Sequence, residues 1–428
     1  MGNRKIVFLE GGVSMKQALY LITDTERPEK LELVDIFRQL DEGFKRQTTG
    51  KSLAGKKIGV LSGSRGICNI KEIVKHVVGL LQSAGAEVVV LPAMGSHGGA
   101  TAEGQKAVLA DYGLTEEYLG VPIVSGMEVE QVGDVNGHPV YADRNALALD
   151  GIVPINRVKA HTDFHGPHES GVVKMLTIGI GKRAQAEAVH RHGIRGLREL
   201  IPQVTAIVLK RIPLIAAVAI VENKFDETAI IEVLGANNLF AREKELLILS
   251  KTLLPQIPFD NLDVLVVQEM GKNISGVGID PNVTKRMRIE EVIDEPGGAK
   301  RIVALDLTKE SGGNAVGLGI PDVITERLYS KVDFKKTYIN TITSGFLERC
   351  FVPVRMPDDY EAVRIAIKTC GRAVDWDSAR IVFIKNTLSL SKMYISPALL
   401  KEVPPQYIVE NTAVTEMFNN NRELILAW

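Results

Sequence analysis

At 428 residues, with 45% hydrophobic and 24% charged side chains, the chain has the composition of a folded protein of two or three domains. Lysine and arginine number 51 against 52 acidic residues, a balance that excludes bulk nucleic-acid coating and a polybasic membrane anchor. The three cysteines, Cys68, Cys350 and Cys370, form no CxxC pair, which excludes a disulfide framework and a Cys-rich metal centre and fits a reducing cytoplasm. Residues 1–12 hold no secretory signal, and Ile6 stands where myristoylation needs Ser or Thr. The most apolar stretch, 212–221, is far short of the ~20 residues that span a bilayer. The expectation is a soluble, cytoplasmic protein with no membrane or nucleic-acid partner.

Along the chain, Lys57-Ile58-Gly59-Val60-Leu61 reads as a strand and runs into the loop Ser62-Gly63-Ser64-Arg65-Gly66. Residues 70–84 have helical period, with Ile73, Val77, Leu80 and Leu81 on one face. Glu87-Val88-Val89-Val90-Leu91 is a buried strand, followed by the loop Met94-Gly95-Ser96-His97-Gly98-Gly99 and a helix opened by Thr101. This β–α–β–α order predicts a parallel sheet with helices on its faces. Asn136-Gly137 predicts a tight hairpin. A strand over 151–159 leads into a histidine-rich loop, further strands fall at 216–221 and 230–234, and a helix over 243–254 closes this half. Residues 255–260 mark a boundary, after which strands at 262–267, 302–307 and 380–385 and a helix at 358–370 resume the pattern. The fold class is α/β with two domains, 1–256 and 257–428, a mostly parallel sheet in the first and the active site in the cleft between them. The last 25 or so residues are free to dock back on either half, the N-terminal domain included.

The histidines are clustered. His161, His165, His168, His190 and His192 fall within one short window, where an even spread of all eight would put fewer than one. Histidine's near-neutral pKa and affinity for metals give such a cluster a use; a solvated loop with incidental histidines is the plain alternative. Two nucleotide motifs fail. Gly181-Lys182 has Leu176 where a P-loop needs its first glycine, and Gly63 and Gly66 have Leu61 where a Rossmann fingerprint needs one. Both glycine loops nonetheless follow strands and precede helices, the end of an α/β sheet where ligands bind. Three loops there offer Arg65, His97 and the segment 161–174. Arg65 can clasp a carboxylate or form a surface ion pair. His97 can take up a proton or cap the helix at Thr101. Lys174, in Ser170-Gly171-Val172-Val173-Lys174-Met175-Leu176, is either a desolvated nucleophile or a side chain snorkelling to water.

Gly171-Val172-Val173-Lys174, then Ile178-Gly179-Ile180-Gly181, then His190 sixteen positions after the lysine, resembles the nickel-dependent lactate racemase family. The resemblance implies a nickel-pincer nucleotide, pyridinium-3,5-bisthiocarboxylic acid mononucleotide nickel, bound through sulfur, carbon and sulfur. It makes Lys174 the thioamide tether and His190 the protein ligand to nickel. The turn Ser62-Gly63-Ser64-Arg65 looks like the family's Asp-x-Thr-Arg turn, with Ser62 in place of the aspartate and Arg65 meeting the substrate carboxylate. Gly95-Ser96-His97 is similar to the loop of the first catalytic histidine. The position of the second is Phe164, flanked by His161, which is preferred for the role, and His165. Ser62, Ser64, Ser170, Gly171 and Lys272, the last in Gly271-Lys272-Asn273, are the further cofactor contacts the resemblance implies.

The implied activity is racemisation or epimerisation of a 2-hydroxy acid or sugar acid by reversible hydride transfer, one histidine serving the hydroxyl of each enantiomer. The partners are then the small hydroxy acid and the proteins that make the cofactor. Lys182, Arg183, Arg191 and Arg195 could neutralise the nucleotide phosphate or form a solvated basic face. An ideal helix would set Lys174 and His190 about 160° apart, so Gly179 and Gly181 are expected to break it. Two other readings remain: a binding protein of the same fold, and a zinc hydrolase built on His161, His165 and His168. Against the zinc reading, the sequence has no HExxH motif and no obvious acidic ligand beside the histidines.

Overall fold

The computed structural model describes residues 18–64 and 66–428. Its strands in the first half are β1 (Tyr20–Asp24), β2 (Lys57–Ser62), β3 (Glu87–Pro92), β4 (Val129–Val135), β5 (His138–Asp143), β6 (Gly151–Arg157), β7 (Ala217–Glu222) and β8 (Thr228–Leu234). In the second half they are β9 (Val264–Met270), β10 (Arg301–Leu307), β11 (Val323–Thr325), β12 (Val354–Met356), β13 (Ile381–Ile384), β14 (Lys392–Ile395) and β15 (Tyr407–Val409). Two sheets result. The smaller has the order β3-β2-β6-β7-β8, parallel except at β8. The larger runs β12-β11-β10-β9-β13-β14-β1-β15, parallel as far as β13 and antiparallel beyond. The protein has a mixed α/β fold with mostly parallel sheets.

The parallel strands are apolar runs because helices cover both faces. In the smaller sheet, Ile58, Val60, Val88 and Val90 pack with Ile73, Val74, Val77 and Val78 of the helix Ile70–Ser83. The other face joins Leu61, Leu91 and Ile152 to Phe164, Val172, Val173 and Leu176. The segment carrying Lys174 is thus built into this second core. The hairpin joins β4 to β5 through Asn136 and Gly137, both at positive φ (52° and 86°), the conformation a two-residue turn of this hand demands.

Strand β1 lies apart from the first half it precedes. It pairs with β14 from Tyr20↔Ile395 to Thr23↔Lys392, and with β15 on its other side. Residues 1–17 lie outside the described part. The tail also joins the second sheet: Met417, Leu424 and Leu426 share a core with Leu19, Val266 and Phe383, and the Tyr394 hydroxyl donates to Ala427 O at 2.6 Å. The tail shares this face of the larger sheet with Ala362, Val363 and Ala366 of the helix Asp359–Thr369. The chain therefore crosses between the sheets twice, after Asp24 and after Thr252.

In each sheet the strand order reverses direction once, between β2 and β6 and between β9 and β13. Loops leaving the carboxyl ends of neighbouring strands diverge there and leave a crevice.

Candidate active site

The crevice between β2 and β6 is floored by the segment that carries Lys174. Asn156, near the end of β6, donates from Nδ2 to Gly171 O at 2.7 Å. Gly171 is extended, and a Cβ there would stand 2.6 Å from the Glu243 carboxyl carbon. That carboxylate accepts the backbone N–H groups of Val172 (2.6 Å) and Val173 (3.1 Å), satisfying the open donors at the start of the Lys174 turn. Glycine is needed at 171 because the anchor is this close.

The helix does break between Lys174 and His190, by different means from those the sequence predicts. A turn of helix at Val172–Lys174 widens into a π-helical turn at Met175–Gly179, and a new helix runs Lys182–His190. The residue at positive φ is Lys182 (53°), with neither glycine adopting that conformation. The glycines allow close approach: a Cβ on Gly179 would stand 2.5 Å from Ala93 O. The loop after β3 rests there, with Gly95 N–H donating to Gly179 O at 3.2 Å. The loop after β2 lies alongside, where a Cβ on Gly63 would stand 3.3 Å from Met175 Cε. Three loops thus meet one broken helix.

His161 faces Lys174. Its Nε2 is in hydrogen-bond contact with Lys174 Nζ, its Nδ1 accepts the backbone N–H of Asp163 at 3.1 Å, and its ring lies 4.7 Å from that of Phe164. Phe164 is fully buried and belongs to the core. His165 turns away, with Nδ1 3.4 Å from Glu169 and Nε2 3.2 Å from Glu295 of the second half. Of the two candidates for the second proton-transfer histidine, His161 is the one beside the lysine. His168 is buried 3.5 Å from Glu243. The sequence reading found no acidic group beside these histidines, and the structure corrects it: Glu169 is at their centre. Its buried carboxylate accepts from the backbone N–H of His161 (2.7 Å), from Gly166 N–H (3.1 Å) and from Lys251 Nζ (2.7 Å). Burial works against the charge of Glu169, but the bonds from His165, Lys251 and His161 outweigh it and hold the group below the usual carboxylate range.

His190 ends the second helix. Its Nδ1 is buried without a hydrogen-bond partner, and burial pushes its pKa down, a charge on Lys174 adding to the effect and Asp163 opposing it. The imidazole is therefore neutral at pH 7 and keeps an uncommitted ring nitrogen, the state that metal ligation requires. The remaining candidates are more scattered. His97 is exposed and opens the short turn Gly98–Ala100, its loop pinned by Gln105 Nε2 on Gly95 O (2.9 Å) and His97 O (3.3 Å). Ser62 is buried, and Ser64 O accepts the Tyr112 hydroxyl at 3.1 Å. Ser170 forms a bridge with Lys159. Arg65 lies outside the described residues. Lys272 is at the carboxyl end of β9, donating to Gly276 O (3.1 Å) and Asn340 Oδ1 (2.9 Å).

The basic residues weighed above as a phosphate site or a solvated face divide between the two kinds of surroundings, buried and exposed. Lys182 is buried, with Nζ 2.6 Å from Pro92 O, 3.1 Å from Gln105 Oε1 and 3.1 Å from Asp143 Oδ2. Arg183 and Arg195 are exposed and paired with Glu187 and Glu199 one turn on.

The second half closes on the histidine loop. Arg349, buried, donates to Thr162 O at 2.9 Å and stands 3.8 Å from Asp163, while Asn282 Nδ2 donates to His161 O at 3.3 Å. No local sequence signal marked Arg349, Asn282 or Glu243, because each acts across a long separation in the chain; Glu169 could have been found from its place inside the histidine-rich segment, three to eight residues from Gly166, His165 and His161. Among the described residues no group of three or more His, Cys, Asp or Glu side chains is placed to hold a metal ion, as the zinc reading requires. A cleft of about 290 Å³ lies elsewhere, at the two crossovers, where Lys224 pairs with Asp24 (2.5 Å) and Glu26 (2.6 Å). No described helix is long and apolar enough to cross a membrane.

Among solved structures the chain matches the lactate racemase apoprotein from Thermoanaerobacterium thermosaccharolyticum. The TM-score is 0.50 at 14% identity, over 85% of this chain and 93% of that one. A likeness at this identity is one of fold: the chain has a two-domain α/β fold like that of lactate racemase. No protein-family model matches the sequence, and no curated protein matches it.

Proposed function

We propose that the chain is a racemase or epimerase of a 2-hydroxy acid or sugar acid, an isomerase using a nickel-pincer nucleotide. The observation that carries this reading is the broken helix of 172–190, which puts Lys174 against His161 and leaves the buried Nδ1 of His190 unpartnered. Lys174 would tether the nucleotide and His190 would ligate its nickel through a ring nitrogen. One protein ligand is enough for a metal already held by a pincer, so the absence of a three-residue cluster among the described residues is compatible with it. When bound, the group supplies a reversible hydride acceptor.

The chain's own residues do the rest. His161 takes the hydroxyl proton of one enantiomer and His97 that of the other, each returning it after inversion; His165 is the alternative to His161. Arg65 holds the substrate carboxylate. Ser62, Ser64, Ser170, Gly171 and Lys272 are the further cofactor contacts. The domains are 1–256 and 257–428, with β1 given to the second. A cytoplasmic setting and partnership with the cofactor-synthesis proteins follow from the same reading.

The test is intact mass and nickel content of protein made in cells that also express the cofactor pathway. A nickel-bearing adduct in the parent, absent from Lys174→Ala, is the expected result. No adduct, in cells where a sister racemase is loaded, overturns the reading and leaves a binding protein with Ser62 in place of the family's aspartate.

A further inference from the structure

The backbone of 161–163 is gripped from both halves of the chain. Glu169, in the first half, accepts the N–H of His161 at 2.7 Å. Two successive carbonyls are bonded from the second half: Asn282 Nδ2 donates to His161 O at 3.3 Å, and Arg349 Nη2 to Thr162 O at 2.9 Å. Arg349 reaches across from the short turn Leu347–Cys350. Just before that turn, Phe346 is buried in the first half's core with Phe164, Val172 and Leu176. Behind it, Arg349 O accepts the N–H groups of Gly317 (2.9 Å) and Gly319 (3.1 Å). The arginine is therefore held firmly on its own side.

Stability alone is a poor reason for a guanidinium here. Arg349 is 1% exposed, and its Nε and Nη1 have no hydrogen-bond partner among the described residues. Nη1 stands 3.8 Å from Asp163 Oδ1, an ion pair without a hydrogen bond. Burial pushes the pKa of Arg349 down and Asp163, Asp280, Glu348 and Asp294 oppose it; an arginine stays charged even so. A buried cation met this incompletely stabilises little more than an apolar side chain of its size. What it supplies is direction. Nη2 faces the carbonyl of Thr162 and Nη1 the carboxylate of Asp163, and the Asp163 N–H donates to His161 Nδ1 at 3.1 Å. We infer that Arg349 is a positioning residue, which sets the backbone of 162–163 from the second half and through it the His161 ring. A methionine would fill the space without this grip, and a lysine brings one point charge to two acceptors. That the placed ring transfers protons rests on the function proposed above; its placement by Arg349 does not.

Hydrogen–deuterium exchange of the apoprotein tests the inference with no cofactor or substrate present. In Arg349→Met/Asp163→Asn, which strands no charge, amides of 161–166 should exchange about tenfold faster while those of 172–190 keep parent rates. Arg349→Lys should fall between. Asp163→Asn alone keeps the bond to Thr162 O and should stay near the parent. Parent rates at 161–166 in the double variant, acceleration spread evenly over 161–190, or equal acceleration in Asp163→Asn alone overturns the inference. If the double variant fails to fold, native-state exchange of the parent in urea decides. Segments 161–166 and 346–350 should then open on one isotherm, and separate isotherms overturn the inference.

In enzyme loaded with the nickel nucleotide, Arg349→Lys should lower kcat about ten- to hundredfold, with KM within about threefold and nickel content unchanged. A loosened loop in a protein that takes no nickel would sink only the racemase reading. A nickel adduct with an unloosened loop would sink only this one.

Discussion

Lys174 and Lys182 stand eight residues apart on the two halves of one broken helix, and the molecule treats them oppositely. Lys182 is sealed from water among a backbone carbonyl, an amide oxygen and the Asp143 carboxylate, three acceptors for three ammonium donors. Burial pushes its pKa down and Asp143 opposes that, but the complete set of acceptors marks a charged, structural lysine. It also ties the loop of His97 to the new helix, because Gln105 accepts from Lys182 and donates to Gly95 and His97. Lys174 stands against the His161 imidazole and the Phe164 ring instead. One environment surrounds the amine with oxygen acceptors, and the other sets it against an imidazole and an aromatic ring. An apolar stretch of sequence around a lysine cannot tell the two apart; the chemistry of the facing atoms does.

The comparison is broken most forcefully at Lys182. Lys182→Met leaves Asp143 buried and uncompensated, and should cost about 3–5 kcal/mol of stability. Urea unfolding of the apoprotein measures it. The double variant Lys182→Met/Asp143→Asn removes the stranded charge while keeping an acceptor for the Asn145 N–H that Asp143 now serves, and should recover part of the loss. If Lys182→Met unfolds at the parent's midpoint, the lysine is not the structural cation described here.

A smaller effect is expected at the carboxylate that arranges the Lys174 side. Glu169→Gln keeps the shape but loses charge-assisted bonds from Lys251 and the His161 backbone, at a cost of roughly 1.5–3 kcal/mol at pH 7. The sign with pH follows from linkage. The folded pKa of Glu169 is depressed, so its contribution is full above the unfolded value of about 4.3 and is lost as pH falls through the folded one. Parent and variant stabilities should therefore converge in acid. A constant gap from pH 7 to pH 3 would mean that packing, rather than charge, accounts for the difference.

The legible parts of the sequence were those whose cause is local. Val88-Val89-Val90-Leu91 has to be a strand covered on both faces, Asn136-Gly137 has to turn, and Thr101 accepts Gly104 N–H at 3.0 Å as a helix cap should. The spacing of Lys174 and His190 also told that a break must intervene. What stayed hidden depends on partners distant in sequence. Strand β1 finds β14 across most of the chain, and nothing near Tyr20 announces Ile395. His161 and His165 have similar local surroundings, and only the buried Glu169 and the approach of Glu295 turn them to different neighbours. The basic run at 182–195 stayed open between a phosphate site and a solvated face because charge in a sequence carries no direction, and burial separates Lys182 from the exposed Arg183 and Arg195.

That run yields the smallest expected effect and the sharpest check on the contrast with Lys182. Arg183 and Arg195 have exposed guanidinium groups paired with Glu187 at 2.7 Å and Glu199 at 3.1 Å, each one helical turn away. Pairs of this kind gain little, since water screens the attraction and two long side chains lose freedom to make it, so each is worth about 0.3–0.5 kcal/mol. Arg183→Ala and Arg195→Ala should therefore leave urea midpoints nearly unchanged. If the protein takes up the nickel nucleotide, both variants should retain it through washes at high salt as the parent does. Salt-sensitive loss of the nucleotide from either variant would return that arginine to the phosphate, and would mean that its pair with glutamate is exchanged for the ligand on binding.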